Sequence, residues 1–157
     1  MTSKNKAVFT RPATLADLAS IAPLFNAYRQ FYEQADDLAL ATAFIQERLA
    51  NAESVIILAL DDDQKTVGFC QLYPSFCSVE AAPIYTLYDL FVSPQARRTG
   101  AARVLLRAAH GYAAQTGRVR MDLTTARTNV AAQALYESLG WVRDEVFLTY
   151  NKPIITS

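Results

Sequence analysis

Hydrophobic and polar positions repeat along this chain with two different periods, which predict a mixture of helices and strands. Apolar residues recur every three or four positions, the spacing of one helical face, over residues 18–32, 39–49, 100–116 and 129–139. Continuous or alternating apolar runs, which are typical of strands, cover residues 8–11, 54–60, 66–73, 84–92, 119–124, 141–144 and 145–152. The resulting order, β-α-α-β-β-β-α-β-α-β-β, predicts an α+β fold around a mixed sheet.

Two details of this pattern concern the region around the fourth strand. Residues 74–83 begin and end with proline and are predicted to form a loop. In the strand at 84–92, counting by two places Asp89 on the same face as Leu87 and Phe91. A carboxylate among such apolar neighbours is expected to be partly desolvated, and desolvation raises its pKa.

The composition is that of a compact globular protein. The 157 residues are 52% hydrophobic and are expected to form a single domain, residues 1–157. Fifteen basic and 15 acidic side chains give zero net charge, which argues against a nucleic-acid binder that works by bulk charge. There is no signal-peptide run and no apolar run that could span a bilayer, so we expect a cytoplasmic protein without a membrane partner. Two cysteines and one histidine show no metal-ligand spacing, so no metal is expected.

The start of the helix at 100–116 has an unusual charge pattern. Helix N-termini carry partial positive charge and favour acidic residues, yet Arg97, Arg98 and Arg103 crowd this one. Unpaired N–H groups at a helix start form a binding site for phosphate or pyrophosphate. A bound polyanion would explain the arginines, and simple solvation of their side chains is the alternative. The P-loop and the GxGxxG dinucleotide pattern are both absent.

This segment resembles a family motif. The sequence Arg97-Arg-Thr-Gly100-Ala-Ala102 is similar to the Q/R-x-x-G-x-G/A signature of the GNAT superfamily of N-acetyltransferases. Leu90-Phe-Val-Ser-Pro94 precedes it, and Tyr136-Glu-Ser-Leu-Gly140-Trp141 follows it at the expected distance. The resemblance implies a central, mixed, mostly antiparallel and twisted sheet flanked by helices. Further details resemble a bacterial subgroup similar to the yeast acetyltransferases of histones, polyamines and D-amino acids.

The resemblance also implies a donor, acetyl-CoA, and the residues that bind it. In the family, acetyl-CoA lies between two neighbouring parallel strands that splay apart. By similarity, the backbone of residues 90–92 binds the pantetheine arm and the following turn binds the pyrophosphate. Asn129 matches a cofactor-contacting asparagine, although helix capping would explain it equally well. The expected donor-binding residues are Leu90, Phe91, Val92, Arg97, Arg98, Thr99, Gly100, Ala101, Ala102, Arg103 and Asn129.

Two residues are expected to carry the chemistry. Tyr136 matches the family tyrosine that protonates the departing coenzyme A thiolate, a role suited to a phenol with a pKa near 10. The alternative role for Tyr136 is that of an aromatic residue packed in the core. Polyamine acetyltransferases of the family have Glu-Asp in the central strand, but this chain has Tyr88 followed by Asp89. The glutamate base is therefore missing, and Asp89 is either a catalytic or substrate-contacting group or a structural hydrogen-bond acceptor.

The acceptor side is less defined. The connection between the first two helices usually lines the acceptor cleft in the family, and its aromatic and acidic side chains either bind an alkyl-ammonium or simply end a helix. The expected substrate-binding residues are Phe31, Tyr32, Glu33 and Tyr88.

A small-molecule amine, such as a polyamine, an amino acid or an aminoglycoside-like compound, is the expected acceptor. The alternatives are a protein lysine or N-terminus as acceptor, and a non-catalytic, acyl-CoA-binding regulatory domain. The family also implies a homodimer formed through the late strands, with residues 146–150 as an apolar edge.

Overall fold

The structure, a computed structural model, describes residues 7–155. The chain separates into two units, Met1–Thr124 and Thr125–Ser157, which are described one at a time. The first unit contains five strands and three helices: β1 (Phe9–Pro12), α1 (Leu18–Phe31), α2 (Leu38–Ala50), β2 (Val55–Leu60), β3 (Thr66–Cys77), β4 (Ala82–Val92), α3 (Ala101–Gln115) and β5 (Met121–Asp122). Short 3-10 turns at Leu15–Asp17 and Pro94–Ala96 precede α1 and α3.

The strands form one sheet in the order β1-β2-β3-β4-β5. All neighbouring strands are antiparallel except β4 and β5, which are parallel. This mixed, mostly antiparallel sheet with flanking helices confirms the predicted α+β fold. The predicted strand at 119–124 is short, since only Met121 and Asp122 pair, with Tyr85 and Thr86 of β4.

The sheet is covered on both faces, because β2 is buried on both sides. One face packs against α1 and α2 in a core that includes Ile21, Phe25, Ala41, Ile45, Ile56, Leu58, Leu60, Phe69 and Phe91. Helix α3 lies against β2, β3 and β4 on the other face, where the rings of Tyr85 and Tyr112 are 6.1 Å apart. A strand buried on two faces reads as a continuous apolar run, which is what residues 55–60 show.

Asp17 fixes the entry into α1. Its Oδ2 accepts a hydrogen bond from the backbone N–H of Thr14 at 2.8 Å. The Arg11 guanidinium donates to both carboxylate oxygens, at 2.8 and 2.9 Å. These bonds hold an acid close to a helix start, where the helix dipole favours negative charge.

The predicted loop at 74–83 is wrong. Strand β3 continues through Pro74 to Cys77, and β4 begins at Ala82 after a tight turn. Pro74 stands opposite Tyr85, whose N–H donates to the Arg120 carbonyl at 3.1 Å and not toward β3. This is a pair without mutual hydrogen bonds, so the missing proline N–H disrupts nothing in the ladder.

A β-bulge changes the register between β3 and β4. Gln71 pairs with Asp89, but the next residue of β3, Leu72, pairs with Leu87, so Tyr88 is the extra residue. Asp89 therefore shares a face with Phe91 and the α1–α2 core, whereas Leu87 lies on the α3 face with Leu72. The prediction that Asp89 and Leu87 share a face was wrong, because an inserted residue reverses the alternation.

The second unit consists of α4 (Val130–Ser138) and the residues around it. Asn129 caps α4, since its side-chain oxygen accepts from the N–H of Ala132 at 3.2 Å. The predicted strands at 141–144 and 145–152 are not present in residues 141–155. Asp144 instead accepts from the N–H groups of Val146 and Phe147, at 2.8 and 3.0 Å, which turns the chain where a hairpin was expected. Strands need a ladder partner, and the segments on either side of this turn do not pair.

Candidate active site

The segment between β4 and α3 presents backbone N–H groups at one place. Gly100 precedes α3 with φ of +83°, in the left-handed region that glycine adopts without strain. The first bond of the helix runs from the N–H of Val104 to the carbonyl of Gly100, at 3.0 Å. The N–H groups of residues 101–103 consequently have no acceptor inside the helix and point beyond its start.

Three arginines, Arg97, Arg98 and Arg103, flank these N–H groups along the chain. The Arg97 guanidinium lies 5.8 Å from the centre of the Phe91 ring, and its Nε donates to the Val92 carbonyl at 3.3 Å. Arg98 and Arg103 form no ion pair with any acid in residues 7–155. No atom lies within 4 Å of the place that a side chain at Gly100 would occupy, so the backbone there is open to an approaching anion. We call residues 97–103 the arginine turn.

The end of β4 has one unpaired edge. On one side, Leu90 and Val92 pair with Cys70 and Gly68 of β3. On the other side, β5 pairs only with Tyr85 and Thr86, so within the described chain no strand lies beside residues 90–92 there. An extended ligand can add to such an edge through backbone hydrogen bonds. The edge leads directly to the arginine turn.

Asp89, immediately before this edge, is the buried acid of the first unit. The residue is 3% exposed, and its Oδ2 accepts from Nε2 of Gln71 at 2.5 Å. Gln71 is completely buried, and its Oε1 accepts from the Ser54 hydroxyl at 2.7 Å. Ser54, Gln71 and Asp89 thus form a polar chain that runs from the residue before β2 through β3 to β4. Burial raises the pKa of Asp89, although hydrogen bonds with Gln71 and Tyr28 partly oppose the shift.

Tyrosines surround this carboxylate. The Tyr28 hydroxyl of α1 donates to the Tyr88 carbonyl at 3.5 Å and also interacts with the Asp89 carboxylate. Burial, and then the Asp89 charge, raise the pKa of Tyr28 far above its ordinary value. The same two causes raise the pKa of Tyr73 to about 12. Two more tyrosine rings pack against these. The ring centre of Tyr32 lies 5.1 Å from that of Tyr28, and the ring centre of Tyr88 lies 5.6 Å from that of Tyr73.

The acids of the α1–α2 connection serve mainly structural roles. Asp36 accepts from the Asn26 amide at 2.7 Å, and Asp37 caps α2 by accepting from the N–H of Leu40 at 3.0 Å. Glu33 is exposed at φ of +64°. Phe31 and Tyr32 are exposed by 60% and 54%, and their rings are 5.2 Å apart.

The structure brings some of the predicted residues together. Asp89 and Tyr88 lie with the aromatic residues that end α1, and the arginine turn follows the edge formed by Leu90, Phe91 and Val92. Asn129 and Tyr136 belong to the second unit, where the Tyr136 ring lies 6.1 Å from that of Trp141.

Sequence reasoning missed Ser54 and Gln71 as site residues, whereas Tyr28 and Tyr73 lie in segments that the family resemblance places beside the acceptor cleft. Gln71 interrupts an otherwise apolar strand, which is a visible signal of a buried polar role. Ser54 gave no signal of its own.

Comparison with known proteins identifies the family. The model of the Acetyltransferase (GNAT) family matches residues 20–141. This chain belongs to the GNAT family. That match covers both the arginine turn and the buried carboxylate. A GNAT chain with this site is an acetyl-CoA-dependent N-acetyltransferase.

Similar proteins support the assignment. An uncharacterised N-acetyltransferase of Bacillus subtilis, YhfO, is 49% identical over 89% of this chain and 93% of its own. A probable acetyltransferase of known crystal structure is 41% identical over 95% of this chain and 99% of that one, with a TM-score of 0.89. The aminoglycoside N-acetyltransferase AAC(6')-Iy, solved in complex with CoA, shares the fold at a TM-score of 0.78. It is 19% identical and covers 98% of this chain and 100% of its own.

The residues present fit coenzyme A as a GNAT ligand. The arginine turn combines free N–H groups with cationic side chains, as a pyrophosphate requires. Within residues 7–155, no cluster of three or more His, Cys, Asp or Glu side chains could hold a metal ion. No helix in that range is both long and apolar enough to cross a membrane.

Proposed function

We propose that this GNAT enzyme transfers the acetyl group of acetyl-CoA directly to the primary amine of a small molecule. The observation that carries the proposal is the position of Asp89. A buried carboxylate within a group of tyrosines stands directly before the open edge and the arginine turn. An amine acceptor and a thioester donor need neighbouring sites, and these features supply one of each.

The donor site consists of the open edge and the arginine turn. Backbone groups of Leu90, Phe91 and Val92 bind the pantetheine arm as an added strand would, and the N–H groups of residues 98–103 bind the pyrophosphate. Arg97, Arg98 and Arg103 neutralise phosphate charge. Asn129, which already caps α4, adds a contact to the cofactor.

The acceptor site consists of aromatic faces and a carboxylate. Phe31, Tyr32 and Tyr88 are exposed, and aromatic faces attract alkyl-ammonium groups. Glu33 adds negative charge at the entrance. An aminoglycoside, a polyamine and an amino acid all carry such a group, and AAC(6')-Iy, with the same fold, is named for the first of them. A small polar amine is therefore the acceptor class we favour over a protein.

The reaction is a direct transfer. A neutral amine attacks the thioester carbonyl, the carbon–sulfur bond breaks, and the thiolate receives a proton from the Tyr136 hydroxyl. Asp89 accepts the proton that the amine gives up. Cys70, the buried thiol of β3, is unsuited to nucleophilic catalysis because burial raises its pKa to about 12.

The test is coenzyme A release from acetyl-CoA with a panel of amines: kanamycin, spermidine, L- and D-amino acids and a lysine peptide. Tyr136→Phe is expected to lower kcat by about 10²-fold, as loss of a general acid does, with little change in acetyl-CoA affinity. Tyr112→Phe, which removes a hydroxyl from the α3 face, is the matched control and should keep wild-type kcat. An unchanged kcat in Tyr136→Phe would remove the tyrosine from the mechanism.

Other outcomes of the panel distinguish the alternatives. Release with the lysine peptide alone would indicate a protein acceptor. Acetyl-CoA binding without release for any amine would indicate a non-catalytic, regulatory protein. The homodimer remains a proposal as well. Residues 146–150 do not form the strand edge that was expected to build it. The mass of the protein in solution is the direct test of dimerisation.

A further inference from the structure

Asp89 is too enclosed to meet an acceptor amine by itself. Asp89 is 3% exposed, and one of its carboxylate oxygens already receives a hydrogen bond from Gln71. A group that takes a proton from substrate must come within hydrogen-bond reach of it. If Asp89 is the final proton acceptor in the proposed function, another group has to lie between it and the amine.

Tyr28 lies in that intermediate position. Its ring packs against the core residues Phe69 and Phe91 on one side and against the exposed Tyr32 on the other. Its hydroxyl donates to the carbonyl of Tyr88, the residue at which the bulge interrupts the ladder. Asp89 is the next residue of β4 after Tyr88, so its carboxylate lies close to this hydroxyl and interacts with it. The half-buried Tyr28 side chain thus reaches from the buried carboxylate to the exposed aromatic residues.

We propose that the Tyr28 hydroxyl is a catalytic residue that takes the proton of the acceptor ammonium while passing its own proton to Asp89. The base of this site is then a tyrosine–aspartate pair, and Ser54 and Gln71 are positioning residues that act through Asp89. This inference rests on the proposed function, because it presumes a protonated amine as acceptor.

The proton transfer balances without any other reactant. The hydrogen of the Tyr28 hydroxyl first rotates from the Tyr88 carbonyl to Asp89. An N–H bond of the ammonium then breaks as the Tyr28 oxygen gains that proton, and the Tyr28 O–H bond breaks as an Asp89 oxygen gains the second. The products are a neutral amine, a neutral carboxylic acid and an unchanged phenol. No phenolate forms, so the high pKa of Tyr28 is no obstacle. Solvent removes the proton from Asp89 after the acetylated product leaves.

The surroundings suit Asp89 as the acceptor. Burial raises its pKa, which reduces the energy difference between a carboxylate and an ammonium. The titratable groups that respond to the Asp89 charge are Tyr28, Tyr73 and Cys70, while Tyr88 acts on the two tyrosines and Arg48 acts on Tyr73. Burial raises the pKa values of both Tyr73 and Cys70 to about 12, so they stay neutral in an assay between about pH 6 and about pH 9.5. Gln71 occupies one oxygen of Asp89 and leaves the other available.

The test compares the pH dependence of kcat/KM for wild type, Tyr28→Phe, Asp89→Asn and the double variant. The probe is the amine of the panel above with the highest kcat/KM. Tyr28→Phe keeps the ring and its packing and removes only the hydroxyl. We expect a loss of about 10²-fold near pH 7, typical of a missing acid–base group. The loss should shrink as the pH approaches the pKa of the free amine, near 10, because solution then supplies the neutral form.

Two further comparisons exclude a purely structural effect. If both residues act in one transfer, the kcat/KM of the double variant should lie within about threefold of that of the less active single variant. Tyr112→Phe, the control on the opposite face, should keep the wild-type pH profile, and all variants should keep their acetyl-CoA affinity.

The outcomes separate the two proposals. A Tyr28→Phe enzyme with the wild-type profile overturns the relay and leaves the acetyltransferase proposal intact. A loss that is the same at every pH also overturns it, because such a loss reflects packing. Failure of the wild-type enzyme to acetylate any amine of the panel overturns the proposed function, and the relay with it.

Discussion

Two regions of the first unit handle charge in opposite ways. The arginine turn gathers positive charge at a helix start, and its donors are mainly backbone N–H groups of consecutive residues. The region around Asp89 holds one negative charge in an apolar core, and its donors are side chains from other elements: Tyr28 from α1 and Gln71 from β3. The surroundings of the first region favour an anion, whereas the apolar surroundings of the second disfavour the charge of Asp89. A donor that carries phosphates suits the arginine turn, and a cationic acceptor suits the region around Asp89.

The largest effect is expected from breaking the polar chain at Asp89. Gln71→Leu fills a similar volume but removes the Gln71 hydrogen bond from both the Asp89 carboxylate and the Ser54 hydroxyl, so that Asp89 keeps only Tyr28. Unsatisfied buried groups of this kind cost about 3 kcal/mol, charged ones most. Urea unfolding should show that loss, and Ser54→Ala should lose only about 1 kcal/mol. A Gln71→Leu protein as stable as wild type would mean that the Tyr28 hydroxyl alone satisfies Asp89 or that this carboxyl group is already neutral.

A smaller effect is expected at the arginine turn. Gly100→Ala places a side chain at φ of +83°, which costs about 1 kcal/mol of stability, and covers the backbone that an anion approaches. We expect acetyl-CoA to bind about tenfold more weakly, a change of about 1.4 kcal/mol.

Gly111→Ala is the matched control, since Gly111 lies inside α3 with nothing within 4 Å of the added carbon. It should stabilise the protein by about 0.5–1 kcal/mol and leave acetyl-CoA affinity unchanged. Equal affinity losses in both glycine variants, measured by calorimetry, would contradict a local role for Gly100.

The same contrast explains what the sequence could predict. The arginine turn was predictable because its parts are consecutive: a strand, a turn, a glycine and a helix start follow one another along the chain. Helix α3 was expected at 100–116 and lies at Ala101–Gln115. Its charge anomaly is visible without knowledge of any neighbour.

The surroundings of Asp89 were less predictable because they depend on distant pairing. Ser54 and Gln71 are 17 residues apart, and Tyr28 and Tyr88 are 60 apart. The bulge at Tyr88 exists only in the register between β3 and β4, so counting by two predicted the burial of Asp89 but assigned Leu87 to the wrong face. Proline at 74 likewise suggested a loop, since its harmless position in the ladder depends on which residue stands opposite.

The smallest effect concerns pH and compares two aspartates. The pKa of Asp89 is raised in the folded state, chiefly by burial, so the folded protein binds a proton there more tightly than the unfolded chain. Its contribution to stability is full below the ordinary pKa near 4 and is lost as the pH rises through the folded-state pKa. Asp89→Asn should remove this fall and make the free energy of unfolding less dependent on pH above about 4.

The contribution of Asp17 to stability depends on pH in the opposite direction. The hydrogen bonds from Arg11 are the main cause that lowers the pKa of Asp17 to about 2. Its contribution to stability is present above the ordinary pKa near 4 and is lost as the pH falls toward about 2. Because Arg11 is largely exposed and screened, Asp17→Asn should cost no more than about 1 kcal/mol at neutral pH. Urea unfolding between about pH 2 and about pH 8 measures both variants. Parallel changes in the two variants would mean that Asp89 is paired like Asp17, and its proposed part in catalysis would lose its physical basis.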